Sequence, residues 1–229
     1  SLSPYNYCAN NPVMLVDPDG RDIDTDIIGA DGSKKHIEDG SNAVFKETGS
    51  GVNRYYAFNG YDEAQGGKNE VNMTTAIQEQ QQLNMDNPSL QESSNGTTYC
   101  NYSTQNVMKT VESVPGNENA LLTGRANSMI DQMNSSSNPN YVSVNQKQAQ
   151  EYAKNGGLAI VGYRNSNSMS GHVATFSVGE NINKGIIANI GLSIYTGFVS
   201  LNTSISKNKT KQFFIYVPGN TLSPAEVKP

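Results

Sequence analysis

The sequence predicts an α+β fold, with helices first, packed on an antiparallel sheet supplied by the later strands. Three observations carry this. Val107, Met108, Val111 and Val114 recur at helical spacing after Cys100, the period expected of one buried helix face. Two further short helical stretches follow before residue 157. Beyond that point, short runs rich in β-branched and aromatic residues alternate with turn residues, with no helix between them. That order describes a strand meander and not alternating βαβ units.

Taken in order, residues 1–21 hold one apolar run, Val13–Val16, and then the turn signal Asp17-Pro18-Asp19-Gly20. Residues 22–62 are polar and punctuated by Asp31-Gly32, Asp39-Gly40 and Gly49-Ser50-Gly51. Strands expected at Ala43–Lys46 and Arg54–Phe58 make this a small β-hairpin region. Residues 63–95, rich in Gln, Asn and Ser, offer only a thin apolar stripe (Val71, Met73, Ala76, Ile77) and read as a linker or peripheral helix. The expected organisation is therefore an N-terminal segment (1–21), a linker with a small β/helical region (22–94), a main domain (95–219) and a tail (220–229).

In the main domain, a helix over 100–114 is stopped by Pro115-Gly116, and a second covers Arg125–Met133. A third is expected to open on Ser143-Val144-Asn145-Gln146, an S-x-x-Q capping box in which the hydroxyl and the Gln side chain satisfy free N–H groups reciprocally. Gly156-Gly157 ends it. Strands follow at Leu158–Tyr163, His172–Val178, Gly185–Ile190, Gly197–Ile205 and Lys211–Val217.

Composition narrows the function classes. The chain has 229 residues with 16 basic and 21 acidic side chains, a net charge of −5, which argues against a nucleic-acid surface because phosphate neutralisation needs a concentrated basic patch. No stretch approaches the roughly 20 apolar residues of a membrane span. Ser1 opens no charged-then-apolar leader, and the missing Met suggests a fragment or processed product. Two cysteines (Cys8, Cys100) and two histidines (His36, His172) form no CxxC or Cys–His cluster, so neither a disulfide framework nor a zinc site is expected, and no cofactor is implied.

The chemistry-bearing residues lie elsewhere. Cys100 sits in a small polar turn, Gly96-Thr97-Thr98-Tyr99-Cys100-Asn101, directly before a helix. A thiol there gains thiolate character from free N–H groups and the helix dipole; the alternative is a buried inert cysteine. His172 follows Ser170-Gly171 at the start of an expected strand, with Gly171 leaving room for close approach. A cysteine opening a helix and a histidine opening a strand are the pair that nucleophilic thiol chemistry needs. A register placing His172 opposite Gly191 makes Asn189 a diagonal neighbour on the same face, able to fix the imidazole tautomer; otherwise Asn189 is a polar strand end. Asp22, Asp24 and Asp26 lack the remaining ligands of a calcium loop and read as a solvated strand face. Lys207, Lys209 and Lys211 read as edge protection, and His36 as a surface residue.

The segments Thr98–Asn101, Gln146–Gly156, Leu158–Tyr163 and Ser170-Gly171-His172-Val173-Ala174 together resemble papain-like cell-wall hydrolases, the CHAP amidase and NlpC-type endopeptidase group. The resemblance spans about residues 95–217 and implies a papain-like fold. By it, Cys100 is the nucleophile, His172 the base, Asn189 the orienting group, and the Cys100 N–H an oxyanion donor. These enzymes often line their groove with Trp, which this chain lacks; Tyr99, Tyr163 and Tyr195 would take that place. Residues 4–20, PYNYCANNPVMLVDPDG, resemble the end of the core of rearrangement hotspot (Rhs) repeat proteins, which release a variable C-terminal toxin at this junction. Asp17, Pro18 and Gly20 then mark a candidate self-cleavage junction, with Arg21 where that family has Leu.

The two resemblances imply an antibacterial effector that hydrolyses amide bonds in peptidoglycan stem peptides. They also imply export to the periplasm and cell wall of a target cell, an association with the parent Rhs core, and a cognate immunity protein. Two other readings stay open: a protease or deamidase acting on an intracellular protein, and a non-enzymatic binding or adaptor module.

Overall fold

A computed structural model of the chain describes residues 23–91, 98–167, 171–179, 186–191 and 196–219. It is α+β, with two sheets. The larger has six strands in the order β5-β10-β6-β7-β8-β9, every neighbouring pair antiparallel: β5 (Tyr141–Val144), β6 (Ala159–Tyr163), β7 (His172–Phe176), β8 (Ile186–Asn189), β9 (Gly197–Ser200) and β10 (Gln212–Tyr216). Strands β6 to β9 form the expected meander. The last strand then returns to lie between β5 and β6.

Helices α2 (Cys100–Ser113), α3 (Ala126–Met133) and α4 (Gln146–Lys154) pack on this sheet. The buried residues of α2 include Cys100, Ser103, Thr104, Val107, Met108 and Val111, spaced three and four apart, so they form one stripe along the helix. That stripe joins Met129, Ile130 and Met133 of α3 and Ile160, Val173, Phe176 and Phe214 of the sheet in one apolar core.

The region read as linker and hairpin is an integral part of the fold. The strands β1 (Asp24–Ile28), β2 (Lys34–Glu38), β3 (Ala43–Thr48) and β4 (Tyr55–Tyr61) form a second sheet in the order β2-β1-β3-β4. The β3–β4 hairpin is the expected one, whereas β1, parallel to β3, and β2 extend it. Asp24 and Asp26 are not on a solvated face: Asp26 is 1% exposed. Its carboxylate is compensated by Lys34 Nζ at 2.6 Å, and His36, exposed at the surface as expected, brings Nδ1 to 2.6 Å from the same carboxylate.

Helix α1 (Met73–Asp86) is capped by Asn72 Oδ1, which accepts from the N–H groups of Thr74 and Thr75. It is not peripheral: its buried face combines Ala76, Ile77 and Leu83 with three amides, Gln80, Gln81 and Asn84. Gln81 Nε2 donates to Thr175 Oγ1 (2.9 Å) and to the Phe176 carbonyl (2.8 Å) on β7. Gln80 Oε1 accepts from the Tyr56 N–H (2.7 Å) and from Thr110 Oγ1 (3.0 Å), and Asn84 Nδ2 donates to the Ser103 carbonyl (2.9 Å). These bonds tie the small sheet, α1, α2 and the large sheet into one body.

Three further expectations are corrected. The capping box of α4 is Asn145 with Gln148: Gln148 N–H donates to Asn145 Oδ1 and Asn145 N–H to Gln148 Oε1, both at 2.9 Å, while Ser143 and Val144 belong to β5. The strand expected over 197–205 stops at Ser200, and the chain turns into the single helical turn α5 (Leu201–Ser204). Finally, β10 is an interior strand, so Lys207, Lys209 and Lys211 do not guard an edge; Lys209 Nζ stands 4.9 Å above the Tyr163 ring, and Lys211 Nζ donates to the Ser206 carbonyl. The junction candidates Asp17, Pro18 and Gly20, together with Cys8, Asp22, Tyr195 and the 220–229 tail, lie outside the described residues.

Candidate active site

Cys100 is the first residue of α2, preceded by Tyr99 in a non-helical conformation. The next element to reach it is β7, whose first residue is His172. The two side chains share a hydrogen bond, and the Val173 and Asn101 N–H groups also donate to the sulfur. Asn189, the last residue of β8, closes the line: its Oδ1 lies 2.6 Å from His172 Nε2. With Nε2 held by Asn189, Nδ1 is the ring nitrogen left for the thiol.

Strand register explains how residues so far apart in sequence meet. β7 and β8 pair with Thr175 across from Ala188 and Phe176 across from Ile187. Carried to the strand ends, this register sets Gly191 opposite His172 and Asn189 diagonal to it on the same face. The start of β7 is held from the other side by Asn127 of α3. Its Nδ2 donates to the Asn165 carbonyl (2.9 Å) and its Oδ1 accepts the Asn165 N–H (3.0 Å), clamping the loop that leaves β6. Gly171 fits inside this clamp: a Cβ there would stand 2.1 Å from the Tyr163 carbonyl oxygen and 2.5 Å from Asn127 Oδ1. The first turn of α2 is tied in the same way, with Asn101 Nδ2 (3.0 Å) and Gln105 Nε2 (2.9 Å) both donating to the Gly124 carbonyl.

The electrostatics of the pair follow from burial and contact. Cys100 is 4% exposed, and burial pushes its thiol up; the charge of His172 and the hydrogen bonds from His172, Val173 and Asn101 outweigh this and hold it below the ordinary thiol value. For His172 the signs are mirrored. Burial pushes the imidazole down, and the Cys100 charge with the bonds from Cys100 and Asn189 raises it above its ordinary value. Both displacements favour thiolate and imidazolium over thiol and neutral ring. A cysteine whose thiolate is favoured in this way has the electrostatic surroundings that nucleophilic thiol chemistry requires.

A fourth side chain stands at the site that sequence reasoning missed. Ser204 Oγ lies 2.7 Å from Asn189 Oδ1 and 3.0 Å from His172 Nε2. Its only sequence signal is the polar run Ser200-Leu201-Asn202-Thr203-Ser204, which an extended reading conceals. No cluster of three or more His, Cys, Asp or Glu side chains suited to a metal ion occurs among the described residues. No helix among them is long and apolar enough to cross a membrane. No family model and no curated protein matches the sequence.

Proposed function

We propose that the chain is a papain-like cysteine hydrolase that cuts amide bonds in the peptide stems of peptidoglycan, acting as the C-terminal effector of an Rhs-type protein. The observation that carries the enzyme reading is the line Cys100–His172–Asn189, assembled from a helix start and two strand ends with Asn189 Oδ1 2.6 Å from His172 Nε2. The substrate and the parent protein rest on the resemblance of residues 95–217 to cell-wall hydrolases and of residues 4–20 to the Rhs junction. A product lethal to its maker calls for a cognate immunity protein, and the substrate lies in the periplasm and cell wall of a target cell.

The chemistry runs in two halves. The Cys100 thiolate attacks the scissile carbonyl carbon, forming a C–S bond, and the oxyanion that develops is met by the Cys100 backbone N–H. His172, as imidazolium, gives its Nδ1 proton to the leaving nitrogen as the C–N bond breaks, leaving a thioester and a neutral ring. That ring then takes a proton from water while the water oxygen attacks the thioester carbon. Collapse releases the carboxylic acid and restores the thiolate–imidazolium pair. Asn189 accepts the Nε2 proton throughout, so the ring presents Nδ1 to the reaction.

Wild-type protein and Cys100→Ala are incubated with isolated peptidoglycan, and soluble fragments are read by mass spectrometry. Stem-peptide cuts made by the wild type and absent from the variant are the expected result, and their masses identify the bond. A wild type that releases nothing from peptidoglycan of several bacterial types overturns the substrate.

A further inference from the structure

We propose that Ser204 is a positioning residue of the thiol site, completing with Asn189 a two-oxygen cradle around the Nε2 proton of His172. The inference rests on the cysteine-hydrolase reading above and extends it to a residue outside the Cys–His–Asn line.

Three atoms meet within hydrogen-bond distance: His172 Nε2 to Asn189 Oδ1 at 2.6 Å, Ser204 Oγ to Asn189 Oδ1 at 2.7 Å, and Ser204 Oγ to His172 Nε2 at 3.0 Å. One proton arrangement satisfies all three. Nε2–H points between the two oxygens, and the Ser204 hydroxyl donates to Oδ1. The opposite tautomer would set the Nε2 lone pair against the Oδ1 lone pairs, which have no proton to share. Asn189 carries no charge, so it cannot stabilise an imidazolium as a carboxylate would. The hydroxyl compensates in two ways: it polarises the amide by donating to Oδ1, and it turns its own lone pair toward Nε2–H.

The local chain delivers this hydroxyl rigidly. Ser200 caps the turn by accepting the Thr203 N–H (3.2 Å), and its Oγ lies 2.7 Å from Thr203 Oγ1. Leu201 and Ile205, both buried in the core, anchor α5 at each end, and the Ile205 N–H closes the turn on the Leu201 carbonyl at 2.9 Å. β9 runs antiparallel to β8, with Gly197 opposite Asn189 and Ser200 opposite Ile186, so a strand continued beyond Ser200 would run away from Asn189; the turn of α5 brings the chain back, and Ser204 Oγ reaches Asn189 Oδ1.

The test is the pH dependence of Cys100 alkylation by iodoacetamide in the full chain, followed peptide by peptide so that Cys8 is read separately. Wild type, Ser204→Ala and Ser204→Thr are compared, with thermal unfolding to show that each is folded. Wild type is expected to react well below the ordinary thiol range. In Ser204→Ala the imidazolium loses one oxygen partner and stabilises the thiolate less, so the acid limit of alkylation should move up by about half a pH unit. Ser204→Thr keeps a hydroxyl and should restore the wild-type limit. A folded Ser204→Ala with an unmoved limit, or a Thr variant that follows Ala, overturns the role of Ser204 alone. A wild-type Cys100 that reacts only in the ordinary thiol range overturns the thiolate–imidazolium reading, and the role of Ser204 with it.

Discussion

His172 Nε2 and Asn189 Oδ1 stand 2.6 Å apart, joined across the antiparallel β7–β8 pair by a register that makes them diagonal neighbours. The contact fixes which ring nitrogen faces Cys100. It also places a neutral acceptor, and no carboxylate, behind the base.

The first expected outcome is a bell-shaped pH profile. In the proposed mechanism the active form carries a Cys100 thiolate and a His172 imidazolium. Activity should rise as pH climbs through the lowered thiol titration and fall as pH climbs through the raised imidazole titration. Asn189→Ala removes one of the bonds that raise the imidazole, so the alkaline limb should move to lower pH. A hydrogen bond to a charged group is worth about 1.5–3 kcal/mol, so kcat/KM should drop about 10- to 100-fold. The kcat/KM–pH curve on a peptide substrate checks both.

Gly171→Ala should disable the site without touching a reacting group. The added methyl would meet the Tyr163 carbonyl oxygen at 2.1 Å and Asn127 Oδ1 at 2.5 Å, so the backbone leading into His172 must move. Overpacking of this kind costs about 1–3 kcal/mol, or some 2–12 °C in Tm at about 2–4 °C per kcal/mol for a chain of this size. Calorimetry and the Cys100 alkylation rate together check it, and both should fall.

Gln81→Leu is expected to destabilise although Leu is the more apolar residue. Gln81 Nε2 satisfies Thr175 Oγ1 and the Phe176 carbonyl in a buried place, and Leu leaves both without their donor. Orphaned buried polar groups cost about 1–3 kcal/mol each. Urea unfolding should show a lower midpoint with an unchanged slope, since the extent of surface uncovered stays the same.

The helix-cap correction makes a paired prediction. Asn145→Ala should cost about 1 kcal/mol, or about 2–4 °C in Tm, because α4 loses its side-chain cap. Ser143→Ala, on the exposed side of β5, should shift Tm by less than about 2 °C. Equal shifts in the two variants would contradict the assignment.

Cys100, His172 and Asn189 were legible because each stands at the end of an element with a clear apolar pattern, and a helix start, a strand start and a hairpin register suffice to bring them to one place. What escaped was polar. The buried side of α1 sets Gln80, Gln81 and Asn84 among Ala76, Ile77 and Leu83, and the amides thin the hydrophobic stripe that periodicity registers. Asp26 reads as solvated because its partners, Lys34 and His36, come from a neighbouring strand. The capping pattern occurs twice in one short run, Ser143 with Gln146 and Asn145 with Gln148, and only the strand pairing of Ser143 decides between them. Ser204 was hidden for a different reason: a single helical turn is too short to show a period, so Gly197–Ile205 reads as one strand.

The central claim is that Cys100 is a thiolate paired with His172. The most direct measurement is ultraviolet titration of thiolate absorbance, wild type minus Cys100→Ala, across the acid and neutral range. A difference signal that persists well below the ordinary thiol value of about 8.5, and shrinks in His172→Ala, is the predicted result. A signal that appears only near that value, unchanged by His172→Ala, would contradict the account.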